Sequence, residues 1–282
     1  MKLEEKIEKS VALIKKAENL SMKMQPEMGF YVGFSGGKDS QCVLELVKMA
    51  GVKYHAVYDV TTIDPANNVR FIKEHYPDVQ FNVPKESFMR LVEKKGLPTM
   101  GKRWCCAIYK EKDGAGSVVL TGVRREESKK RAAYNEVTKW AKRKESRKSM
   151  NLDEMESNEF RCVGGKDKIM VYPILEWTEK DVWEFHEMCK IPLNPCYVAH
   201  QRVGCVFCPY ARARDIKRYC VTHPKLKNVL LSALDKYREG KEGRTKLSSA
   251  EDYFEWWLTH ESVSKFVAKR KQLKMEFNDF VV

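Results

Sequence analysis

The sequence predicts an α/β fold: a Rossmann-like parallel sheet with helices on both faces, followed by a helical C-terminal region. Three observations predict it. Short apolar runs alternate with amphipathic stretches over residues 29–122, the glycine pair Gly36-Gly37 stands where the first run gives way to a helix, and the chain reads as helical from Asp215 onward. The bulk composition agrees: 282 residues with 43% hydrophobic and 11% aromatic content suit one large or two modest domains and exclude wholesale disorder. Lys and Arg number 52 against 39 Asp and Glu, a formal net charge of +13. No apolar run approaches the ~18 residues that would span a bilayer, and the N-terminus is amphipathic rather than signal-like, so the expectation is a cytoplasmic protein with no membrane partner.

Element by element, residues 2–20 place Leu3, Ile7, Val11, Ile14 and Ala17 at helical spacing, a packing helix that forms, with its tail, an N-terminal segment 1–28. Gly29 to Phe34 reads as a buried strand. Ser35-Gly36-Gly37-Lys38-Asp39-Ser40 breaks it, and Cys42, Val43, Leu46 and Val47 mark one face of a helix ending at Gly51. A second strand follows at 53–58, a helix at 68–76, a third strand near 79–83 and a fourth at 117–122. The stretch 124–148 holds eleven Lys or Arg against four Glu, 149–167 is a polar connection, and 169–174 resumes strand character. Thr178 can cap a helix whose first turn carries Glu179 and Asp181. The divisions predicted are 1–28, a nucleotide-binding domain with a cysteine cluster over 29–210, and a helical region 211–282 anchored by Tyr253, Phe254, Trp256 and Trp257.

The strand-to-helix junction carries the chemistry. Gly36 and Gly37 allow a tight turn, and the helix that follows aims unpaired N–H groups at whatever fills the turn, so an anion belongs there. Lys38 adds a mobile positive charge, and Ser35 and Ser40 add hydroxyl donors. The spacing fits neither the Walker-type loop nor the dinucleotide-binding fingerprint. Gly33-Phe34-Ser35-Gly36-Gly37-Lys38-Asp39-Ser40 resembles the PP-loop of the adenine-nucleotide α-hydrolase superfamily, whose members act at the α-phosphate. Further segments are similar to the phosphoadenylyl-sulfate reductase-like family: Thr61-Thr62-Ile63-Asp64-Pro65, Thr121-Gly122-Val123-Arg124 through Arg131, and Pro173-Ile174 through Pro195 and Tyr197. The likeness covers about 29–210. It implies nucleotide contacts at Ser35, Gly36, Gly37, Lys38, Asp39, Ser40, Thr62, Gly122 and Arg124, with Lys38 and Asp39 as catalytic candidates. Arg124 would neutralise the anionic substrate. If the nucleotide is ATP, Mg²⁺ should bridge its phosphates, with Asp39 as ligand or anchor.

Nine cysteines without framework spacing point to a reducing compartment. Cys105-Cys106 and Cys205-x-x-Cys208 supply four thiolates, enough for a tetrahedral zinc ion or one 4Fe–4S cluster; two unrelated reduced pairs are the plain alternative. A tandem Cys-Cys suits a cube with irons at separate corners better than one small ion, and the pattern resembles the cluster-binding branch of the family. One departure counts against the reductase reaction. The family's reductases attack with a cysteine in a Glu-Cys-Gly-Leu-His-like tail, whereas residues 277–282 here contain no cysteine, so Cys220 or Cys196 would have to substitute.

These expectations converge on three functions. The first is ATP-dependent sulfur incorporation into nucleic acid, with DNA or tRNA held along 124–148 and sulfur supplied through a cysteine desulfurase. The second is reduction of adenylyl sulfate or phosphoadenylyl sulfate to sulfite with a thioredoxin-type donor. The third is a nucleotide or cluster sensor without turnover.

Overall fold

The computed structural model describes residues 1–140, 148–149, 167–200, 203–240 and 246–279. Two N-terminal helices, α1 (Leu3–Lys16) and α2 (Glu18–Met24), replace the single expected one, because the chain turns at Ala17. Then follow β1 (Phe30–Gly33), α3 (Lys38–Ala50), β2 (Tyr54–Asp59), α4 (Ala66–His75), β3 (Gln80–Asn82), α5 (Phe88–Lys95), α6 (Trp104–Tyr109) and β4 (Val118–Leu120). A 3₁₀ turn at Arg125–Glu127 leads to α7 (Lys129–Ala132), β5 (Val137–Trp140), β6 (Lys148–Ser149), β7 (Lys168–Val171), α8 (Glu179–Met188) and α9 (Cys196–His200). The C-terminal helices are α10 (Ala213–Thr222), α11 (Pro224–Glu239), α12 (Ala250–Thr259) and α13 (Val263–Asp279).

The seven strands lie in the order β3-β2-β1-β4-β7-β5-β6. The first five are parallel, as the alternation of apolar strands and helices requires. The other two differ from expectation. β5 pairs antiparallel with β7, and β6 antiparallel with β5, so the basic stretch, to which the sequence assigned no element, supplies an edge ribbon. Strand side chains alternate between faces. Phe30, Val32, Ala56, Tyr58, Leu120, Ile169 and Val171 join Ile14, Leu46, Val47, Val182 and Phe185 in the main core. Tyr31, Val57 and Val119, with Met170 against them, form a small cluster of their own.

Contacts divide the chain into two compact units. One comprises Met1–Val60, Asp64–Val83 and Tyr109–Gly204, and contains the whole sheet. The other comprises Thr61–Ile63, Pro84–Ile108 and Cys205–Val282. Residues 84–108, which the sequence assigns to the 29–210 segment, thus belong with the C-terminal helices. Within that second unit Phe88 stacks on Trp104 at 5.3 Å between ring centroids, and Trp257 Nε1 donates to the Pro98 carbonyl at 2.6 Å. Of the expected anchors Phe254 and Trp257 are buried, while Tyr253 and Trp256 are half-buried.

Candidate nucleotide site and thiol cluster

β1 ends and the chain reverses at Gly36, which has φ +73° and where a Cβ would lie 2.5 Å from Asn68 Oδ1. That close approach demands glycine. Ser40 Oγ donates to the Gly37 carbonyl at 2.8 Å and accepts the Ser35 amide at 3.2 Å, closing the loop on itself. The amides of Asp39 and Ser40, in the first turn of α3, meet no acceptor among the described residues. Two donors therefore point from a helix N-terminus into the turn, the arrangement that takes an anion.

The charged residues around the loop are tied to one another. Arg124 is 4% exposed. Its Nε donates to Asp39 Oδ1 at 2.7 Å and its Nη1 to Glu126 Oε2 at 2.9 Å, and Asp39 raises the guanidinium pKa against the effect of burial. Lys38 donates to Asp39 Oδ2 at 3.0 Å and is 9% exposed, so it is not the mobile cation the sequence suggested. Both Asp39 carboxylate oxygens are engaged, and a metal would reach Asp39 only by displacing a cation. Gly122 closes the far side: a Cβ there would stand 2.7 Å from the Asp39 backbone carbon. Thr62 belongs to the second unit, where its hydroxyl accepts the Phe88 amide at 2.8 Å and caps the entry to α5.

Four residues to which the motif reading gave no role hold the loop. Asn194, fully buried, donates to the Gly36 carbonyl at 2.8 Å and to Asn68 Oδ1 at 2.6 Å. Asn68 Nδ2 donates to the Ser35 carbonyl at 3.1 Å. His186 Nε2 donates to the Lys38 carbonyl at 2.9 Å, and burial holds its pKa below the ordinary value. Tyr197 Oη accepts the Lys38 amide at 2.8 Å. Tyr197 lies in a segment already noted for its family likeness, but nothing in the sequence marks Asn68 or His186.

A cavity of about 330 Å³ opens beside the loop, lined among others by Ser35, Thr121, Asp59, Lys168, Trp140 and Tyr172. Thr121 lines it, and Thr121 Oγ1 is buried with no hydrogen-bond partner among the described residues. Asp59 Oδ1 accepts from Asn82 at 3.1 Å and from Tyr31 at 3.3 Å, and burial pushes its carboxyl up to about 6. Lys168 Nζ donates to the Asp113 carbonyl at 2.7 Å and sits 5.2 Å over the Trp140 ring. Burial lowers its pKa.

All four cluster candidates, Cys105, Cys106, Cys205 and Cys208, belong to the second unit and are half-buried and reduced. Cys105 interacts with Cys106 through a thiol hydrogen bond and, electrostatically, with Cys205; the hydrogen bond first and burial second raise its pKa. Among the described residues no three Cys, His, Asp or Glu side chains form a ready-made metal site. The donors fit a soft metal centre in kind, being all sulfur. The substitute nucleophiles fare worse: Cys196 and Cys220 are 1% and 9% exposed, and burial raises both thiol pKa values, the opposite of an activated thiolate. In the basic stretch Arg125 pairs with Glu176 and Arg131 with Glu127, and the exposed Lys129 and Lys130 form no ion pair among the described residues. Residues 141–147 of that stretch lie outside the described residues.

A mostly parallel sheet whose first strand runs through a glycine turn into a helix N-terminus is the architecture of nucleotide-binding α/β proteins. Residues 29–211 match the phosphoadenosine phosphosulfate reductase domain, and the chain belongs to that family. Similar proteins include an uncharacterised protein of Methanocaldococcus jannaschii, 25% identical over 83% of this chain and 54% of its own length. The adenosine 5'-phosphosulfate reductase of Lysinibacillus sphaericus is 26% identical over 53% of this chain and 59% of its own. The chain thus spans between half and three-fifths of those two relatives. Among solved structures, phosphoadenylyl-sulfate reductase from Candida auris in its phosphate complex superposes with TM-score 0.44 at 15% identity, covering 68% of this chain and 87% of the other. The U34-tRNA thiolase NcsA from Methanococcus maripaludis, with its 4Fe–4S cluster, superposes with TM-score 0.40 at 14% identity, covering 89% and 88%. Among the described residues no helix is long and apolar enough to cross a membrane.

Proposed function

We propose that this chain is an enzyme that binds an adenine nucleotide on the Ser35–Ser40 loop and uses the adenylyl group in sulfur transfer, with ATP-dependent incorporation of sulfur into nucleic acid as its reaction. The observation that carries the nucleotide site is the pair of amides at Asp39 and Ser40 that meet no acceptor among the described residues, beside a cavity lined by Ser35 and Thr121. Family membership supports the sulfur chemistry. In the reaction an oxygen of the acceptor attacks the α-phosphorus and pyrophosphate leaves; a sulfur nucleophile then displaces AMP. The Asp39 and Ser40 amides and the Ser35 hydroxyl orient the phosphates, while the Ser40 hydroxyl, bonded to the Gly37 carbonyl, keeps the loop closed. Lys38 and Arg124 offset the charge of the leaving group, exchanging Asp39 for the phosphate oxygens. Asp39, once released, is the residue that would meet Mg²⁺ accompanying ATP. Cys105, Cys106, Cys205 and Cys208 would hold a 4Fe–4S cluster, or zinc in its place, and a cluster would supply an iron able to carry sulfur once one of the four thiolates gives up its iron. The exposed Lys129 and Lys130 are the described part of the surface offered to DNA or tRNA. A cysteine desulfurase would supply the sulfur as a persulfide, and a thiol reductant would supply the two electrons that release it at the sulfide level.

A second reading has a specific observation behind it, since relatives named adenosine 5'-phosphosulfate reductase are 24–27% identical to this chain. Adenylyl sulfate would then be the substrate, a thioredoxin-type protein the donor, and sulfite the product. The buried Cys196 and Cys220 oppose it as far as this chain's own thiols are concerned. Anaerobically purified protein decides between the two. Pyrophosphate release from ATP together with sulfur-labelled tRNA or DNA supports the first reading; sulfite from adenylyl sulfate replaces it with the second. Nucleotide retention with neither product would mean a sensor.

A further inference from the structure

The Lys38 amide belongs to the first turn of α3, where an anion-binding loop needs its donors, yet it is already occupied by the Tyr197 hydroxyl at 2.8 Å. An amide with an acceptor adds nothing to an anion site. A phenol that accepts one hydrogen bond still has its own proton to give, and no acceptor for that proton lies among the described residues. Its position is fixed on three sides. The Tyr197 amide donates to the Asn194 carbonyl at 3.0 Å, Asn194 holds the Gly36 carbonyl, and the Trp183 ring meets the tyrosine edge-on at 5.5 Å. The Tyr197 oxygen and Ser35 Oγ each lie 3.3 Å from where a Cβ on Gly37 would stand, so both hydroxyls border the space that this glycine leaves open.

We propose that Tyr197 is a further anion-binding residue of the loop: it takes up the Lys38 amide and presents its own O–H to the phosphate or sulfate of the substrate. The phenol thereby relays the polarity of the helix terminus outward by one group. Burial raises the pKa of this phenol, which keeps the proton on the oxygen at neutral pH. The inference rests on the nucleotide reading above and assigns it a specific contact, confined to the anionic part of the ligand.

The test is calorimetric titration of ATP, inorganic pyrophosphate and adenosine into the full chain and into Tyr197→Phe, which removes one oxygen and keeps the ring. Affinity for ATP and pyrophosphate should fall about tenfold or more, since a hydrogen bond to a charged group is lost, while adenosine binds equally to both proteins. Unliganded melting temperatures should match. Equal ATP affinity overturns the proposal, tighter binding shows that the phenol blocks the loop, and a parallel loss of adenosine shows a structural role. If the unaltered chain binds none of the three, the nucleotide reading itself fails and the proposal with it. Should Tyr197→Phe not fold, the unaltered chain labelled at tyrosine Cζ gives the second measurement: pyrophosphate must move the Tyr197 resonance, and an unmoved resonance overturns the proposal.

Discussion

Asn194 shows how much of the site depends on residues that carry no charge. Its amide satisfies the Gly36 carbonyl and Asn68 Oδ1 from 158 and 126 positions away in sequence. Asn194→Ala leaves both buried acceptors unpaired and should cost about 1–3 kcal/mol, read as a lowered denaturation midpoint with an unchanged slope. Asp59 makes a pH prediction. Its carboxyl is raised by burial to about 6, so the folded state holds the proton more tightly than the unfolded chain does. The stability it contributes is complete below about pH 4 and is lost as pH rises through 6. Asp59→Asn keeps an acceptor for Tyr31 and Asn82 without the charge. It should remove this loss, gaining about 1–3 kcal/mol on the unaltered chain between pH 4 and pH 7 in urea titrations. The residues proposed to hold the phosphate were legible in the sequence because glycines and hydroxyls at a strand end have few other uses. Those that hold the loop were not, because a lone Asn or His has many roles and only the fold brings Asn68 and Asn194 together.

At the level of elements, strands β1, β2 and β4 and helix α3 follow from apolar runs and the glycine turn, to within a residue or two. β5 does not. Val137 is its one buried residue and the flanking positions belong to a lysine- and arginine-rich stretch, so charge conceals the strand pattern; pairing with β7 supplies what the local sequence lacks. The start of α8 was legible, since Thr178 Oγ1 accepts the Asp181 amide and Asp181 Oδ2 accepts the Thr178 amide, a reciprocal cap. Thr178→Ala should cost about 1 kcal/mol in denaturant titrations, because one cap acceptor is lost. Gly122 couples β4 to α3 by close approach to Asp39. Gly122→Ala must displace the start of α3 from the end of β4, and nucleotide affinity should fall more than tenfold while far-ultraviolet circular dichroism keeps its shape.

For the whole molecule, the family was legible from motifs spread over two-thirds of the chain, whereas the division into units was not. Residues 84–108 join the C-terminal helices through contacts such as Trp257 with Pro98, which no local pattern announces. All four candidate cluster thiols fall in that second unit. If they hold the proposed cluster, anaerobic preparations should contain iron and acid-labile sulfide in equal amounts, near four of each per chain. Replacing Cys205 by Ser should remove both; a colourless zinc-loaded product would make the site structural instead. The account as a whole depends on an adenine nucleotide bound at the β1–α3 turn. Calorimetric titration of ATP and adenylyl sulfate into the intact chain and into Gly36→Ala tests it most directly. The account predicts saturable binding of at least one of them to the intact chain, weakened more than tenfold in the variant; no binding to the intact chain, or equal affinity in both proteins, would contradict it.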